Sequence, residues 1–449
     1  PSRIFGMDES FNAPGVPFLM GQQNTDIWGD PTGENFALNA ASNGWLVQLP
    51  SLNTQYNETY SETWNYKINL EPIKSFKIEL TANRTEGRNL TSFFRLDDET
   101  GEYVFDSPME TGNVSASIIS WPTAFFRDDE KNDYQNDAFD AFLDNRLNFS
   151  ERLNGESYQV GSPEANGYYN GWGPTSQDVV IPAFLAAYTG QDVNDVSSNP
   201  FKAKVQPNWS VTYDGLSKIP SIKKYFKQFN LRHSYRSTYT TSYVSNLNFT
   251  PDAEGLPTTV DQSDFPNYIT RRQINSVNIS EQITPLSLDM TLKTKKKKNK
   301  EKTNEPQLKV EYKKDRTLAL GLTNYQITET KSNSLTLGLG YKINEVPNPF
   351  RKKKSKLPIK MLANTTLNLR ADLTVRDNVT LIRKMVEQTS QPTAGQRLYS
   401  LKTSADMAVS DKLTIRFFYD HQLNKPKIST SFPTSNISTG ISLRFSLNN

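Results

Sequence analysis

Across roughly the last 180 residues, apolar and polar side chains alternate for eight or more positions at a time. That period of two is what a β-strand requires when one of its faces is greasy and the other wet. Leu286, Leu288, Met290 and Leu292 fall on one face, as do Leu318, Leu320 and Leu322. The rows continue with Leu335 to Ile343, Leu367 to Val375, Leu401 to Val409 and Leu413 to Tyr419, and end on Ile441, Leu443, Phe445 and Leu447. Lys, Arg, Asn, Ser and Thr stand between them. Short breaks at 284–285, 330–333, 376–378 and 410–412 interleave with long ones at 295–306, 344–363, 386–396 and 424–434. Tight turns on one side and long loops on the other are the build of an outer-membrane barrel. If the last strand ends in the periplasm, the long loops are expected outside. A soluble β-sandwich also alternates but has less reason to sort its loops by length.

Composition agrees with a wet barrel. Hydrophobic residues make up 35% of the chain and the mean hydropathy is -0.64, too polar for a large dry helical core. The 11% of aromatic residues opposes disorder. A barrel around a polar lumen needs apolar residues only at every second strand position, which reconciles the two. No segment approaches the roughly 20 apolar residues of a membrane-spanning helix. The best run, Val179 to Tyr188, is about half that length and contains Pro182. The chain begins at Pro1 without a basic and apolar leader, and reads as a fragment of something larger. Cysteine is absent, which removes disulfides, thiolate catalysis and cysteine-rich zinc sites.

Three regions are expected: barrel strands and loops over 1–136, a helix plus a folded insertion over 137–207, and C-terminal strands over 208–449. Trp64 to Leu70 and Phe76 to Leu80 read as strands, and Asp98 to Gly101 as a hairpin turn. Phe139, Phe142, Leu143, Leu147 and Leu153 have helical spacing, so Asp137 to Leu153 is expected to form one amphipathic helix. From Asn154 to Asn208 the chain is rich in Gly, Asn and Pro yet carries Trp172, Phe184 and Tyr188, which need something to pack against. Gln177, Asp178, Pro182, Phe184 and Tyr188 therefore mark a candidate lumen or gate insertion. A short helix is expected near Ile219 to Phe226, followed by a tyrosine row at 235, 239 and 243 that suits an interfacial girdle.

Chemistry is sparse. Only His233 and His421 are present, both in strand patterns and without HExxH or a triad context, so no catalytic residue is assigned. Asp128, Asp129, Glu130, Asp133, Asn136 and Asp137 lack the glycine and spacing of a calcium loop, and a solvated acidic loop is the better reading. No metal ligand set, phosphate loop or dinucleotide fingerprint appears, so no cofactor is expected. Lys295, Lys296, Lys297 and Lys298, and Arg351, Lys352, Lys353 and Lys354, form basic clusters without interleaved aromatics, which argues against nucleic acid. In external loops they could meet the phosphates of lipopolysaccharide, a merely solvated loop being the alternative. Ile441, Leu443, Phe445 and Leu447 are expected in the closing strand and insertion signal, paired with Leu413 to Gln422.

Several segments then resemble one family. They are Pro1-Ser-Arg-Ile-Phe-Gly6 with Pro14 to Phe18, Ser176 to Gly190, Pro207 to Leu216, His233 to Tyr239, Arg316 to Asn324, Gly338 to Tyr341 and Gly440 to Phe445. Together they are similar to the C-terminal region of the SprA/Sov family, outer-membrane translocons of the type 9 secretion system of Bacteroidota that in some members also support gliding motility. The resemblance implies a transmembrane antiparallel β-barrel of which this chain is the C-terminal portion, with a protein-conducting lumen and a lateral opening. It implies as partners the remainder of the same barrel, a PorV-like shuttle, a periplasmic plug protein and cargo bearing a C-terminal sorting domain. The function expected is passive export of folded proteins through the cell outer membrane. Two rival readings are another barrel transporter, for nutrients or lipopolysaccharide, and a soluble β-sandwich that binds surfaces.

Overall fold

A computed structural model describes residues 16, 20, 36–46, 54–128, 131–156, 161–252, 256–261, 265–294, 305–349, 364–410, 412–428 and 431–446. They form one twelve-stranded antiparallel sheet with a helical insertion on one face. The strands are β1 (Tyr56–Ile73), β2 (Phe76–Leu96), β3 (Tyr103–Ser117), β4 (Asn208–Tyr213), β5 (Phe226–Ser245), β6 (Arg272–Leu292), β7 (Glu305–Gly321), β8 (Gln326–Pro347), β9 (Asn364–Lys384), β10 (Thr389–Ala408), β11 (Leu413–Pro426) and β12 (Thr434–Phe445). Each pairs with its sequence neighbour except around β4. The helices are α1 (Phe36–Ser42), α2 (Asp137–Glu156), α3 (Gln177–Thr189) and the single turn α4 (Pro220–Lys223).

The all-β expectation holds, as do the hairpin around Asp98 to Gly101, the helix from Asp137 and the short helix after Ile219. The strands, however, are far longer than the alternation suggested. Positions 330–333 and 376–378 are not turns but the middles of β8 and β9, and 284–285 is a bulge inside β6. Pro285 has no N–H for the ladder, so the register shifts between Ile283 and Leu286 and the strand continues. The expected long loop at 386–396 is mostly β10.

The real turns lie at 322–325 and 385–388. Their left-handed positions are occupied by Tyr325 (φ 49°) and Gln388 (φ 54°) rather than Gly, Asn or Asp. The first has Gly321 before it and Asn324 beside its left-handed residue, whereas the second has no turn-favouring residue at all.

These corrections change the parity of the connections. In an antiparallel meander, successive connections lie at opposite ends. The register pairs Glu305 with Lys342, Pro347 with Asn364, and Leu413 with Phe445. Hence the connections 293–304, 348–363 and 409–412 share one end with the finish of β12, and 322–325, 385–388 and 427–433 share the other. The expected sorting of short turns to the C-terminal end is overturned. Lys295 to Lys298 and Arg351 to Lys354 lie outside the described residues; the strand ends that flank them, Leu292 and Glu305, Pro347 and Asn364, are at the end where β12 finishes.

The insertion interrupts a single strand line. Arg84 pairs with Ala116 in β3 and Thr81 with Asn208 in β4, so β4 continues β3 along β2 in the same direction. On the other side Thr238 pairs with Ser117 and Tyr235 with Trp209. Chain leaves the sheet after Ser117, builds α2 and α3, and re-enters at Asn208. Gln206 N donates to Ser117 O at 2.9 Å, closing the neck.

Candidate functional site: an apolar belt, a polar row and a docked helical insertion

Residues directly opposite across a ladder share a face, so the register assigns every strand residue to one of two faces. One face carries Leu335, Leu337, Leu339, Tyr341 and Ile343 on β8. Against them stand Leu367 to Val375 on β9, Tyr399 to Met407 on β10, Leu413 to Tyr419 on β11 and Ile441, Leu443 and Phe445 on β12. The same face of β1 carries Trp64, Tyr66, Ile68 and Leu70, opposite Leu80 and Ile78 on β2. The other face is polar: Thr336, Gly338, Gly340 and Lys342 on β8 stand beside Thr374, Asp372, Arg370 and Asn368 on β9.

On β8 to β12 these apolar side chains form a belt along the end of the sheet where β12 finishes, and much of it is bare. Leu339, Ile441 and Leu443 are 60%, 64% and 66% exposed. Such residues normally bury about 1.5–3 kcal/mol each against something apolar. On β11 this face runs from Leu413 to Leu423, with His421 as its polar member; that is about ten residues, or about 33 Å along the strand, which a tilt of ~40° turns into a height of about 25 Å. Strand crossings of a bilayer need about 9–11 residues. Phe445 lies in this belt beside Leu413 and Arg444 on the opposite face beside Thr414, the arrangement expected for the last strand. Leu447 lies outside the described residues.

One row further from that end the face turns polar in register across five strands. Tyr312, Leu335, Val375, Tyr399 and Leu423 form the last apolar row. Lys314, Asn333, Asp377, Arg397 and Lys425 form the next.

Beyond this row the same face is covered by the insertion. Ile274, Val277 and Ile279 of β6, Leu318 and Leu320 of β7, and Ile327 of β8 are buried in one core with Phe139, Phe142 and Phe149 of α2 and with α3. The tyrosine row is here as well. Tyr235, Tyr239 and Tyr243 lie under the insertion at 1%, 0% and 9% exposure, so they are core residues and not an interfacial girdle.

Helix α3 contains the five insertion residues singled out from the sequence, whose helical fold the sequence did not reveal. Residues 179–189 are all buried, and Pro182 is accommodated within the helix. Gly190, left-handed at φ 69°, ends it with its N–H on Ala186 O. Gln177 fastens the N-terminus to β6: its Nε2 donates to Arg272 O at 2.6 Å and Thr270 Oγ1 at 2.7 Å, and its Oε1 accepts from Ile274 N at 3.1 Å. Phe184 and Tyr188 are fully buried, ring centroids 5.0 Å apart. Burial holds the Tyr188 phenol well above its usual range. Asp178, half-buried beside a cavity of about 490 Å³ that Arg271 and Arg272 also line, has its carboxyl pushed up to about 6 by desolvation. A hydrogen bond from Gln177 opposes that shift.

Three charged latches hold the insertion and the adjoining loops to the sheet, and the sequence reading missed all of them. In the first, Arg316 on β7 pairs with Glu281 on β6 at 2.9 Å, both nearly inaccessible. The Arg316 guanidinium also donates to Thr123 O (2.9 Å) and Ser120 O (3.1 Å) of the insertion. Glu281 Oε1 accepts from Ser120 Oγ and Tyr235 OH at 2.7 and 3.0 Å.

In the second, Arg383 on β9 meets Glu329 at 2.9 Å and Asp128 at 2.5 Å and donates to Tyr134 O, while Lys331 joins both carboxylates. Asp128 is therefore a salt-bridge partner rather than part of a solvated acidic loop. Asp129 and Glu130 lie outside the described residues. In the third, Glu110 on β3 takes Arg271 and Arg272, each at 3.1 Å, and Tyr243 OH at 2.5 Å.

One signal could have found the first two. Arg316 shares parity with Leu318 and Leu320, and Glu329 and Lys331 share it with Leu335 and Leu337, and charges on an apolar parity demand partners.

His233 Nδ1 lies 3.2 Å from Pro285 O and His421 Nε2 lies 2.9 Å from Ser435 Oγ, neither beside a nucleophile and carboxylate pair. Among the described residues no cluster of His, Asp and Glu is arranged to hold a metal ion, and no helix is long and apolar enough to cross a membrane. No protein-family model matches the chain, and no curated protein is significantly similar to it.

Proposed function

We propose that the chain is wall of an outer-membrane β-barrel, its apolar belt in lipid and its polar face toward a wet interior. The observation that carries this reading is the exposed belt, continuous in register and of bilayer height, backed by a polar face on the same strands. A soluble sandwich would cover such a face with a second sheet, and none is present among the described residues. Among the described residues β1 and β12 are each paired on one side only, which fits part of a larger closed sheet, because unpaired backbone groups cost several kcal/mol each in hydrocarbon. With the C-terminal end periplasmic, the insertion stands on the external side, and the strand ends that flank the two basic clusters face the periplasm, away from outer-leaflet lipopolysaccharide.

Within that frame the resemblance to the SprA/Sov family supplies the specific proposal. The barrel is a conduit for folded cargo carrying a C-terminal sorting domain, driven from elsewhere and working with a PorV-like shuttle and a periplasmic plug. The insertion was expected in the lumen or at a gate. It shares a face with the belt, however, so a lumenal insertion and a lipid-facing belt are incompatible. The exposed belt supports the outside of the wall, because a lumen lined by exposed leucines would lose water without gaining lipid.

The test is depletion of the whole protein in its native cell. Sorting-domain cargo should accumulate in the periplasm, and the protein should fractionate with the outer membrane and migrate differently before and after heating. Recovery in the soluble fraction would defeat the barrel reading; normal cargo export would defeat the translocon reading alone.

A further inference from the structure

A cavity of about 860 Å³ lies between the edge of the insertion and the sheet, one row beyond the belt. Its apolar wall includes Phe125, Phe126 and Tyr312. Its charged lining is five cations, Arg127, Lys314, Lys331, Arg397 and Lys427, against the carboxylates Asp128 and Asp377. Three cations are already matched: Lys331 to Asp128 at 2.8 Å, and Arg397 and Lys427 to Asp377 at 2.9 and 2.6 Å. Lys314 is different. It is 9% exposed, its Nζ lies 4.6 Å from the centroid of the Phe125 ring, and among the described residues no carboxylate is within ion-pair distance, Glu281 and Glu329 acting on it only from farther away. Beside it the buried Asn333 Oδ1 has no hydrogen-bond partner. A buried ammonium without a counter-ion is costly unless an anion joins it.

We infer that this cavity binds the phosphate of a lipid headgroup in the leaflet on the insertion's side, with Lys314, Arg127 and Arg397 as its cationic contacts. The inference rests on the reading of the belt as lipid-facing. The height of the cavity then selects the ligand. Tyr312 and Leu335 close the apolar zone and Lys314 and Asn333 open the polar one, so the cavity stands where acyl chains end and headgroup phosphates begin. Its surplus of cations suits a phosphate monoester of a lipid A type headgroup, and Phe125 and Phe126 can meet the first methylenes of an acyl chain. An ammonium is a compact phosphate partner and a guanidinium a bidentate one.

The test uses the protein in its native complex, reconstituted in nanodiscs containing lipid A with its phosphates or enzymatically dephosphorylated lipid A, and native mass spectrometry of the lipid retained on extraction. Retention of the phosphorylated form is expected to exceed the other by about tenfold or more, as loss of charge-assisted contacts implies. Lys314→Met with Arg397→Gln should abolish that preference while heat-modifiable mobility is kept. Single Arg127→Gln, at an exposed position that cannot harm folding, should reduce it. Equal retention of both lipids by an inserted protein overturns the inference but not the barrel. Displacement of lipid A by millimolar inorganic phosphate would assign the site to free phosphate and overturn the lipid source. Failure to insert into any nanodisc would instead defeat the reading of the belt.

Discussion

Asn208 resumes the strand line that Ser117 leaves, and its Nδ2 donates to Ser117 Oγ across 3.3 Å although 91 positions separate them in the chain. Between Ala116 and Asn208 the register on β2 advances from Arg84 to Thr81, and on β5 Thr238 faces Ser117 while Tyr235 faces Trp209. Both neighbours therefore leave room for one residue between Ser117 and Asn208. Replacing 118–207 by a single threonine should keep β2, β5 and the rest of the sheet in register. Membrane assembly is the expected readout. Loss of assembly that is not restored when Tyr239, Ile279 and Leu320 are also made polar, to spare the uncovered core, would show that the insertion is needed to form the sheet.

The latches make a second prediction. Removing one member of a buried ion pair strands the other, at about 3–5 kcal/mol. Glu281→Gln should leave the Arg316 guanidinium with only carbonyls and hydroxyls, and Arg316→Met should leave Glu281 buried with hydroxyl donors alone. Each should release the insertion before the sheet, seen as faster limited proteolysis at 118–136 with unchanged membrane fractionation. Proteolysis as slow as in the parent would mean that the α3 core alone holds the insertion. The pair was hidden in the sequence because its members are 35 positions apart on neighbouring strands. Only the face they share with leucines marked them.

That contrast describes what the residues reveal in general. Period-two alternation disclosed the strand class, the two faces and the pairing of the last hairpin, because each follows from local spacing. It misjudged strand length, because Lys331, Asn333 and Asp377 break an apolar row without breaking the strand. The segment Met385-Val-Glu-Gln388 turns the chain with no Gly, Pro, Asn or Asp. Helix α3 was concealed by Pro182 and by burial on all sides, which erases amphipathic periodicity. The spurious turn at 376–378, counted back from the last strand, then reversed the assigned side of the long loops before it, 295–306 and 344–363.

Asp178 gives a pH prediction. Its folded-state pKa, near 6, stands above the ordinary 3.8, so the folded protein holds a proton that the unfolded chain releases. The stability this contributes is fully present below about pH 4 and is lost as pH rises through about 6. Asp178→Asn should therefore stabilise the insertion at pH 7 and above by about 1–2 kcal/mol, and the gain should fade below about pH 4. Hydrogen exchange of α3 amides against pH measures it. A destabilised variant at pH 8 would show that the positive end of α3 and the nearby Arg271 and Arg272 outweigh desolvation.

On the belt, Leu337→Asp puts a carboxylate where lipid is expected, at about 2 kcal/mol or less for an acidic residue near the midplane. Thr336→Asp, one position away on the polar face, should be tolerated. Phe445→Asp and Arg444→Asp repeat the comparison at the end of the last strand, where the effect of Phe445→Asp should be smaller because it sits close to the interface. Outer-membrane yield reads all four. Tolerance of Leu337→Asp with failure of Thr336→Asp would reverse the faces and return the insertion to the lumen.

Sidedness is the prediction on which the others depend. The chain has no cysteine, so single cysteines at chosen turns are unambiguous within it. Thr323 lies in the turn between β7 and β8, and Lys412 in the turn between β10 and β11, both exposed and at opposite ends of the sheet. The polar row at Lys314 and Arg397 limits the belt on the Thr323 side, and it is there that the insertion packs; on the proposed reading strands continue past the bilayer only there. Strands that project beyond the membrane, carrying a docked domain, suit the cell exterior, where outer-membrane barrels place their larger loops. On whole cells an impermeant maleimide should label Thr323→Cys and spare Lys412→Cys until the outer membrane is opened. Labelling of Lys412→Cys alone would invert the protein, place the insertion in the periplasm, and return both basic clusters to the outer surface.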